Sequence, residues 1–162
     1  MSDGLSNAFR LAVMAHQDQK DKAGDPYIYH VVRVADGVRR AGCEEWVQIV
    51  ALLHDTVEDG HLSVESIRTD FGNVVADTVE VLTRREDDQG RWPHHDYEAY
   101  IKRVAANSAA VKVKLADLQD NLNRSRIPHP TIVDYERWGR YEWAQALLRE
   151  QDARTEAMVV RY

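Results

Sequence analysis

Apolar residues return every three or four positions through most of the chain, and where the rhythm stops a glycine or proline usually stands. Leu5, Phe9, Ala12, Val13 and His16 share a helical spacing that breaks in the polar stretch DQKDKAGDP, punctuated by Gly24 and Pro26. Ile28, Val31, Val34, Ala35 and Val38 resume the helical period over 27–40, with Gly42 as a stop. Residues 44–59 predict a third helix: Val47, Ile49, Val50, Ala51, Leu52 and Leu53 are apolar nearly all round, the mark of a helix through the middle of a core, and Gly60 ends it. Ser63 opens a short helix ending at Phe71-Gly72, and Val75, Val79 and Leu82 line one side of another over 74–82. Residues 83–96, with Gly90 and Pro93, form the one long polar stretch and read as a loop or lid. Helices follow over 97–106 and 109–122, then a break at Ile127-Pro128-His129-Pro130 and a capped last helix from Thr131 toward Arg154. Strand-type alternation is scarce, and the valine-rich piece 111–115 has helical flanks. The pattern predicts an all-α, compact multi-helix bundle, a single domain over 1–162 without repeats or linkers.

Composition narrows the partners. A chain of 162 residues with 44% apolar content can bury one sizeable core. A net charge of −6 gives no basic field of the kind that holds a phosphate backbone, which argues against a nucleic-acid polymer and leaves a small anionic ligand open, since a metal or a local Lys/Arg pocket can outweigh the average. The start, MSDGLSNAFRLAVMAHQDQK, has no basic opening and mixes Asn7, Arg10 and His16 among its apolar positions, so neither a signal peptide nor a membrane span is expected, and the expected location is the cytoplasm. Cys43 is the one cysteine, which excludes an internal disulfide and a thiolate-rich metal site. It reads as a small buried residue near a helix end.

The chemistry gathers at IVALLHDTVEDG, residues 49–60. On a helix His54 and Glu58 share a face, as do Asp55 and Asp59, so two potential ligands precede two potential acid/base groups by one turn. Carboxylates are disfavoured at the last turn of a helix, where the dipole opposes them, so four polar groups behind a wholly apolar run point to a site rather than a solvated end. Further ligands must come from other helices. His30, in DPYIYHVVRVA, has apolar residues on both sides and points inward. Asp117 lies inside the apolar VKVKLADLQDNL with Asn121 one turn below it, and a buried carboxylate requires a cation or strong donors. His30, His54, Asp55 and Asp117 make an imidazole and carboxylate set without sulfur, suited to Mn, Fe, Co or Zn.

An His…His-Asp…Asp order on an all-α chain resembles the HD-domain phosphohydrolases. More narrowly, AGDPYIYH, ALLHDTVEDG, FGNVVADTVEVLT and VKLADLQDNL resemble, in order from about residue 8 to 124, the (p)ppGpp hydrolase domain of Rel/SpoT proteins and the stand-alone small alarmone hydrolases. The resemblance implies that His30, His54, Asp55 and Asp117 hold one divalent ion, typically manganese, and that Glu58 and Asp59 are the catalytic acidic pair beside the attacking water. It further implies that Lys22 and Asn121 contact the nucleotide, and that the reaction removes 3′-pyrophosphate from ppGpp or pppGpp. Two alternatives stay open: the same chemistry on another nucleotide or phosphoester, and a non-catalytic metal- or nucleotide-sensing domain.

The chain departs from that family's pattern on the substrate side. Asp21 stands where a basic residue usually precedes the lysine, Val31 where a proline follows the first histidine, Leu118-Gln119-Asp120 where Arg-Leu-His follows the last aspartate, and Leu122-Asn123-Arg124 where Met-Arg-Thr follows the asparagine. Of the remaining features, His61, His94 and His95 read as polar surface and Trp92 as an anchor for its loop. Tyr135, Trp138, Tyr141 and Trp143, interleaved with Arg137 and Arg140, read as packing for the last helix, with one arginine free to reach a phosphate.

Overall fold

Two helices, one nearly all apolar and one carrying buried charge, run through the middle of the molecule, and the other six are laid around them. The computed structural model describes residues 3–58, 61–84 and 93–159, with the backbone alone for 93–96 and 159. Its elements are α1 (Asp3–Ala15), α2 (Ile28–Arg40), α3 (Glu45–Leu53), α4 (Val64–Phe71), α5 (Asn73–Leu82), α6 (Pro93–Ala105), α7 (Ser108–Asn121) and α8 (Ile132–Val159). Among the described residues there is no strand, only an isolated antiparallel bridge between Lys20 and Pro26. The fold is all-α, as the hydrophobic period predicts. No described helix is long and apolar enough to cross a membrane.

Helix α3 packs against α1, α2, α5 and α7, which explains why Val47 and the five residues Ile49 to Leu53 are all buried. Each such side chain removed from water contributes roughly 1.5–3 kcal/mol, so this short helix anchors the core despite its length. Helix α7 packs on α2, α3, α5, α6 and α8. Its first turn is capped by Asn107, whose Oδ1 accepts from the Ala110 amide at 2.9 Å. Helices α2 and α7 come close because Gly37 has no side chain: a Cβ there would stand 3.3 Å from the Ala116 Cβ. This contact brings the helix bearing His30 against the helix bearing Asp117.

Several element boundaries differ from the hydrophobic pattern. The third helix ends at Leu53, six residues before its expected end at 59. Thr56 turns the chain there, its amide and its hydroxyl both donating to the Leu53 carbonyl, at 3.1 and 2.7 Å. His54, Asp55 and Glu58 therefore stand on turns beyond the helix and not on its last turn, and the expected sharing of helix faces does not apply. The stretch expected as loop over 83–96 gives way to helix α6 at Pro93, a residue whose fixed φ and missing N–H suit the first helical position. Trp92 lies outside the described residues, as do the side chains of His94 and His95. A 3₁₀ turn over Arg124–Arg126 is unforeseen by the pattern, and α8 runs on to Val159. On α1 the buried face is Ala8, Ala12 and Ala15, while Phe9 and Val13 are exposed: α1 meets α3 through small residues that permit close approach.

Candidate active site

His30 stands in the first turn of α2, His54 caps α3, Asp55 follows it, and Asp117 occupies the third turn of α7. Three elements far apart in sequence thus converge. His30, His54 and Asp117 are buried, and one donor atom from each lies within 4.8 Å of the others. His30 Nε2 is 3.3 Å from Asp117 Oδ1, and Asp55 Oδ2 is 3.0 Å from His54 Nε2 and 3.9 Å from His30 Nε2.

The surroundings orient each group. His54 Nδ1 donates to the Ala51 carbonyl at 2.8 Å, which turns Nε2 toward the cluster, where it is buried and faces Asp55 Oδ2. His30 Nδ1 is held by Asp120 Oδ2 at 2.7 Å. The Tyr27 hydroxyl donates to Asp55 Oδ2 at 2.5 Å. Asp117 has the strong donors that its burial demands: Lys114 Nζ at 2.7 Å and Asn121 Nδ2 at 2.5 Å.

Electrostatically the cluster calls for positive charge. Burial works against ionised carboxylates, yet His54 outweighs it at Asp55, and Lys114 and His30 outweigh it at Asp117, so both are held well below the usual carboxylate range. Burial likewise works against charged imidazoles, but hydrogen bonds to Asp117 and Asp120 push His30 up to about 9, and Asp55 raises His54. Two buried imidazoles and two carboxylates whose donor atoms face one another form a set that fits a divalent cation with nitrogen and oxygen ligands.

Above this cluster opens a cleft of about 340 Å³. His30, Asp55 and Asp117 line it together with Glu58, Lys22 and Asn121, so six of the eight expected site residues share one space. His54 is buried against it through Asp55. Asp59 lies outside the described residues. Glu58 accepts the Arg84 amide at 3.2 Å; burial raises its pKa, the Arg84 hydrogen bond opposes that, and the charge of Asp55 adds to it. Lys22 is exposed on the loop, and its pKa is lowered first by burial and then by Arg137, so two cations face the same volume. An anion between them relieves that repulsion.

The sequence reading passed over Tyr27, Lys114, Asp120 and Arg126, all of which line the cleft. Tyr27 and Lys114 could have been sought as the donors a buried carboxylate needs; Asp120 was visible only as a departure from pattern. Of the aromatic and arginine run, Trp138 is buried as packing, while Arg137 and Tyr141 reach the cleft. His61 is exposed, its ring 5.9 Å from that of His16, and it is not part of the donor cluster. Cys43 is half-buried just past α2, and burial raises its thiol pKa.

Helices that deliver a histidine, a His-Asp pair and a further aspartate to one buried point define an HD-domain protein, and the chain belongs to that family: the HD domain profile matches residues 8–126. Among its relatives, the chain is 34% identical over 145 residues to the fruit-fly (Drosophila melanogaster) guanosine-3′,5′-bis(diphosphate) 3′-pyrophosphohydrolase MESH1, covering 86% of this chain and 79% of MESH1. It is also 34% identical over 122 residues to the Aquifex aeolicus enzyme of the same activity name, covering 75% of this chain but only 17% of that longer protein. Its fold matches a solved metazoan orthologue of SpoT, described as hydrolysing ppGpp, with a TM-score of 0.77 and 26% identity, over 91% of this chain and 86% of that one. A Listeria monocytogenes protein, lmo0812, matches with a TM-score of 0.61 and 29% identity, over 80% and 82% of the two chains.

Proposed function

We propose that the protein is a metal-dependent phosphohydrolase, acting as one domain, that removes 3′-pyrophosphate from ppGpp or pppGpp. The observation that carries this reading is the buried donor cluster of His30, His54 and Asp117, with His54 Nε2 turned into it beside Asp55, beneath a cleft lined also by Glu58 and the cations Lys22 and Arg137. The names of MESH1 and the SpoT orthologue supply the substrate.

In this reading His30, His54, Asp55 and Asp117 hold one divalent ion, and manganese is our choice among the metals that a nitrogen and oxygen set accepts. The ion supplies Lewis acidity, lowering the pKa of water and neutralising phosphoryl charge. Glu58 takes the proton from the attacking water, since a raised pKa makes its carboxylate a stronger base than a free one. Asp59 completes the acidic pair. Lys22 and Arg137 face the phosphates, and Asn121 positions the sugar while its amide braces Asp117. A lone cysteine suits a reducing compartment, and we place the activity in the cytoplasm.

A second reading, the same chemistry on another nucleotide or phosphoester, is favoured by Asp21. Its Oδ1 accepts the amides of Ala23 and Asp25 at 2.8 and 3.1 Å, and its Oδ2 pairs with Arg126, so this position offers no positive charge to a base. The purified protein with Mn²⁺, offered ppGpp beside a panel of ordinary nucleotides while pyrophosphate and orthophosphate are both followed, separates the two. Pyrophosphate from ppGpp supports the alarmone reading. Cleavage of another nucleotide alone selects the second, and silence on the whole panel contradicts both.

A further inference from the structure

The two imidazoles of the cluster are held in different ways. His54 Nδ1 meets a neutral backbone carbonyl, Ala51 O at 2.8 Å, whereas His30 Nδ1 meets the carboxylate of Asp120 at 2.7 Å. Asp120 stands where the resembling family carries a histidine, so this contact belongs to the chain's own departures. The same carboxylate takes Arg33 Nε at 2.5 Å through Oδ1 and Arg126 at 2.8 Å through Oδ2. Arg126 in turn pairs with Asp21, the other reversed position. The side chains of Asp120 and Asp21 are less than one-tenth exposed, at 9% and 8%, so these pairs are shielded from the solvent screening that weakens surface ion pairs.

Asp21 organises the loop that carries Lys22. Its Oδ1 accepts two amides of that loop, its own amide donates to Asp25 O at 2.8 Å, and its carbonyl accepts the amide of Gly24, whose φ of +90° favours glycine. A continuous path therefore runs from His30 through Asp120 and Arg126 to Asp21 and the loop of residues 20–25. Arginine is suited to such a joint, because its planar fork can satisfy two carboxylates at once while remaining charged.

We propose that Asp120 is the positioning residue of His30, and that the path Asp120–Arg126–Asp21 couples the occupancy of the metal site to the order of the Lys22 loop. The proposal rests on reading His30 as a metal ligand and Lys22 as a phosphate contact. A carboxylate on Nδ1 fixes the proton there, directs the Nε2 lone pair into the cluster and raises its basicity, and partners of this kind are generally worth about 10–100-fold in metal affinity. A cation that fixes the His30 ring also fixes Asp120, hence Arg126, hence the loop. By reciprocity, an ordered loop must then favour the cation.

The test uses the full chain and Mn²⁺ as the probe. Metal affinity is measured by calorimetry for wild type, Asp120→Asn, Asp120→Glu and His30→Ala, with melting curves for each, and hydrogen exchange of residues 20–25 is followed with and without Mn²⁺ in wild type and Arg126→Met. Expected are loss of measurable Mn²⁺ binding in His30→Ala, about 10–100-fold weaker binding in Asp120→Asn and partial recovery in Asp120→Glu. Mn²⁺ should slow exchange at 20–25 in wild type and leave it unchanged in Arg126→Met. If Asp120→Asn melts lower but binds Mn²⁺ as wild type does, Asp120 is only a structural ion pair and the positioning role is overturned. An equal Mn²⁺ effect on the loop in wild type and Arg126→Met overturns the coupling. Retention of Mn²⁺ by His30→Ala overturns the ligand reading itself, and with it the proposal.

Discussion

At the scale of single residues, the proposed function separates the site into groups that hold a cation and groups that act beside it. His54 and Asp117 are each paired within the cluster, and removing either leaves charge unbalanced in a desolvated space. His54→Ala and Asp117→Ala are each expected to lose bound metal on purification, measured by elemental analysis, and metal retained in both would dismantle the donor set. Glu58 differs, being exposed, with an amide hydrogen bond from Arg84. Its raised pKa, set by burial against the Arg84 hydrogen bond and with the help of Asp55, means that the folded protein favours the neutral carboxyl. That contribution to stability is present at low pH and is lost as pH rises through the folded pKa, while a base needs the ionised form. The acid limb of kcat is therefore expected above the ordinary glutamate range, rising with pH; a rate profile whose acid limb lies at or below the ordinary value would contradict the assignment. Lys22→Ala should raise KM severalfold more than it lowers kcat, because the side chain meets the substrate away from the reacting bond; the reverse pattern in steady-state kinetics would move Lys22 into the chemistry.

At the scale of elements, what the chain's pattern made legible and what it hid have separate physical causes. Helix α3 was plain because every residue from Ile49 to Leu53 is apolar, and burial on all sides leaves no other placement. Its end was not, because the turn is made by Thr56 closing onto the Leu53 carbonyl, a local competition between side chain and backbone that hydrophobic spacing does not register. His30 and Asp117 could be singled out as polar groups inside apolar runs. The partner of His30, Asp120, could not, since it looks like an ordinary surface residue until α2 and α7 are brought together near Gly37; Lys114, three residues before Asp117 on the same helix, and Tyr27, which donates to Asp55, could have been sought as carboxylate donors. Helix α7 bears most of this apparatus, so its cap has a consequence at the site. Asn107→Ala should cost about 1 kcal/mol of stability, read from chemical denaturation, and no change would mean that the capping bond to Ala110 contributes nothing.

For the whole molecule, an acidic chain gathers six cations at one cleft, beside five carboxylates that include Asp55 and Asp117 of the cluster. A net charge of −6 coexists with a cleft lined by Lys20, Lys22, Arg84, Lys114, Arg126 and Arg137. Several of these are already paired, Lys114 with Asp117, Arg126 with Asp21 and Asp120, and Arg137 with Asp134, while Lys22 stands exposed beside them, facing the space where an anion fits. In the proposed function these cations, together with the bound metal, receive a small phosphorylated ligand in a protein whose overall charge would repel one. The proposed function also ties global stability to the donor cluster, because a cation bound only by the folded state stabilises it by mass action. Adding Mn²⁺ to metal-stripped protein should raise Tm progressively with concentration, and a Tm indifferent to the ion would mean that no folded-state site exists.

The account turns on a metal centre that holds a cation with one set of side chains and moves a proton with another. The measurement that tests this most directly is a Mn²⁺ titration of pyrophosphate release from ppGpp by wild type and Glu58→Gln, with bound metal determined in the same samples. Wild type should release pyrophosphate in saturable proportion to bound Mn²⁺, while Glu58→Gln should bind the ion equally and turn over about 10²–10⁴-fold more slowly. Turnover of wild type without metal, or a Glu58→Gln variant as fast as wild type, would contradict it.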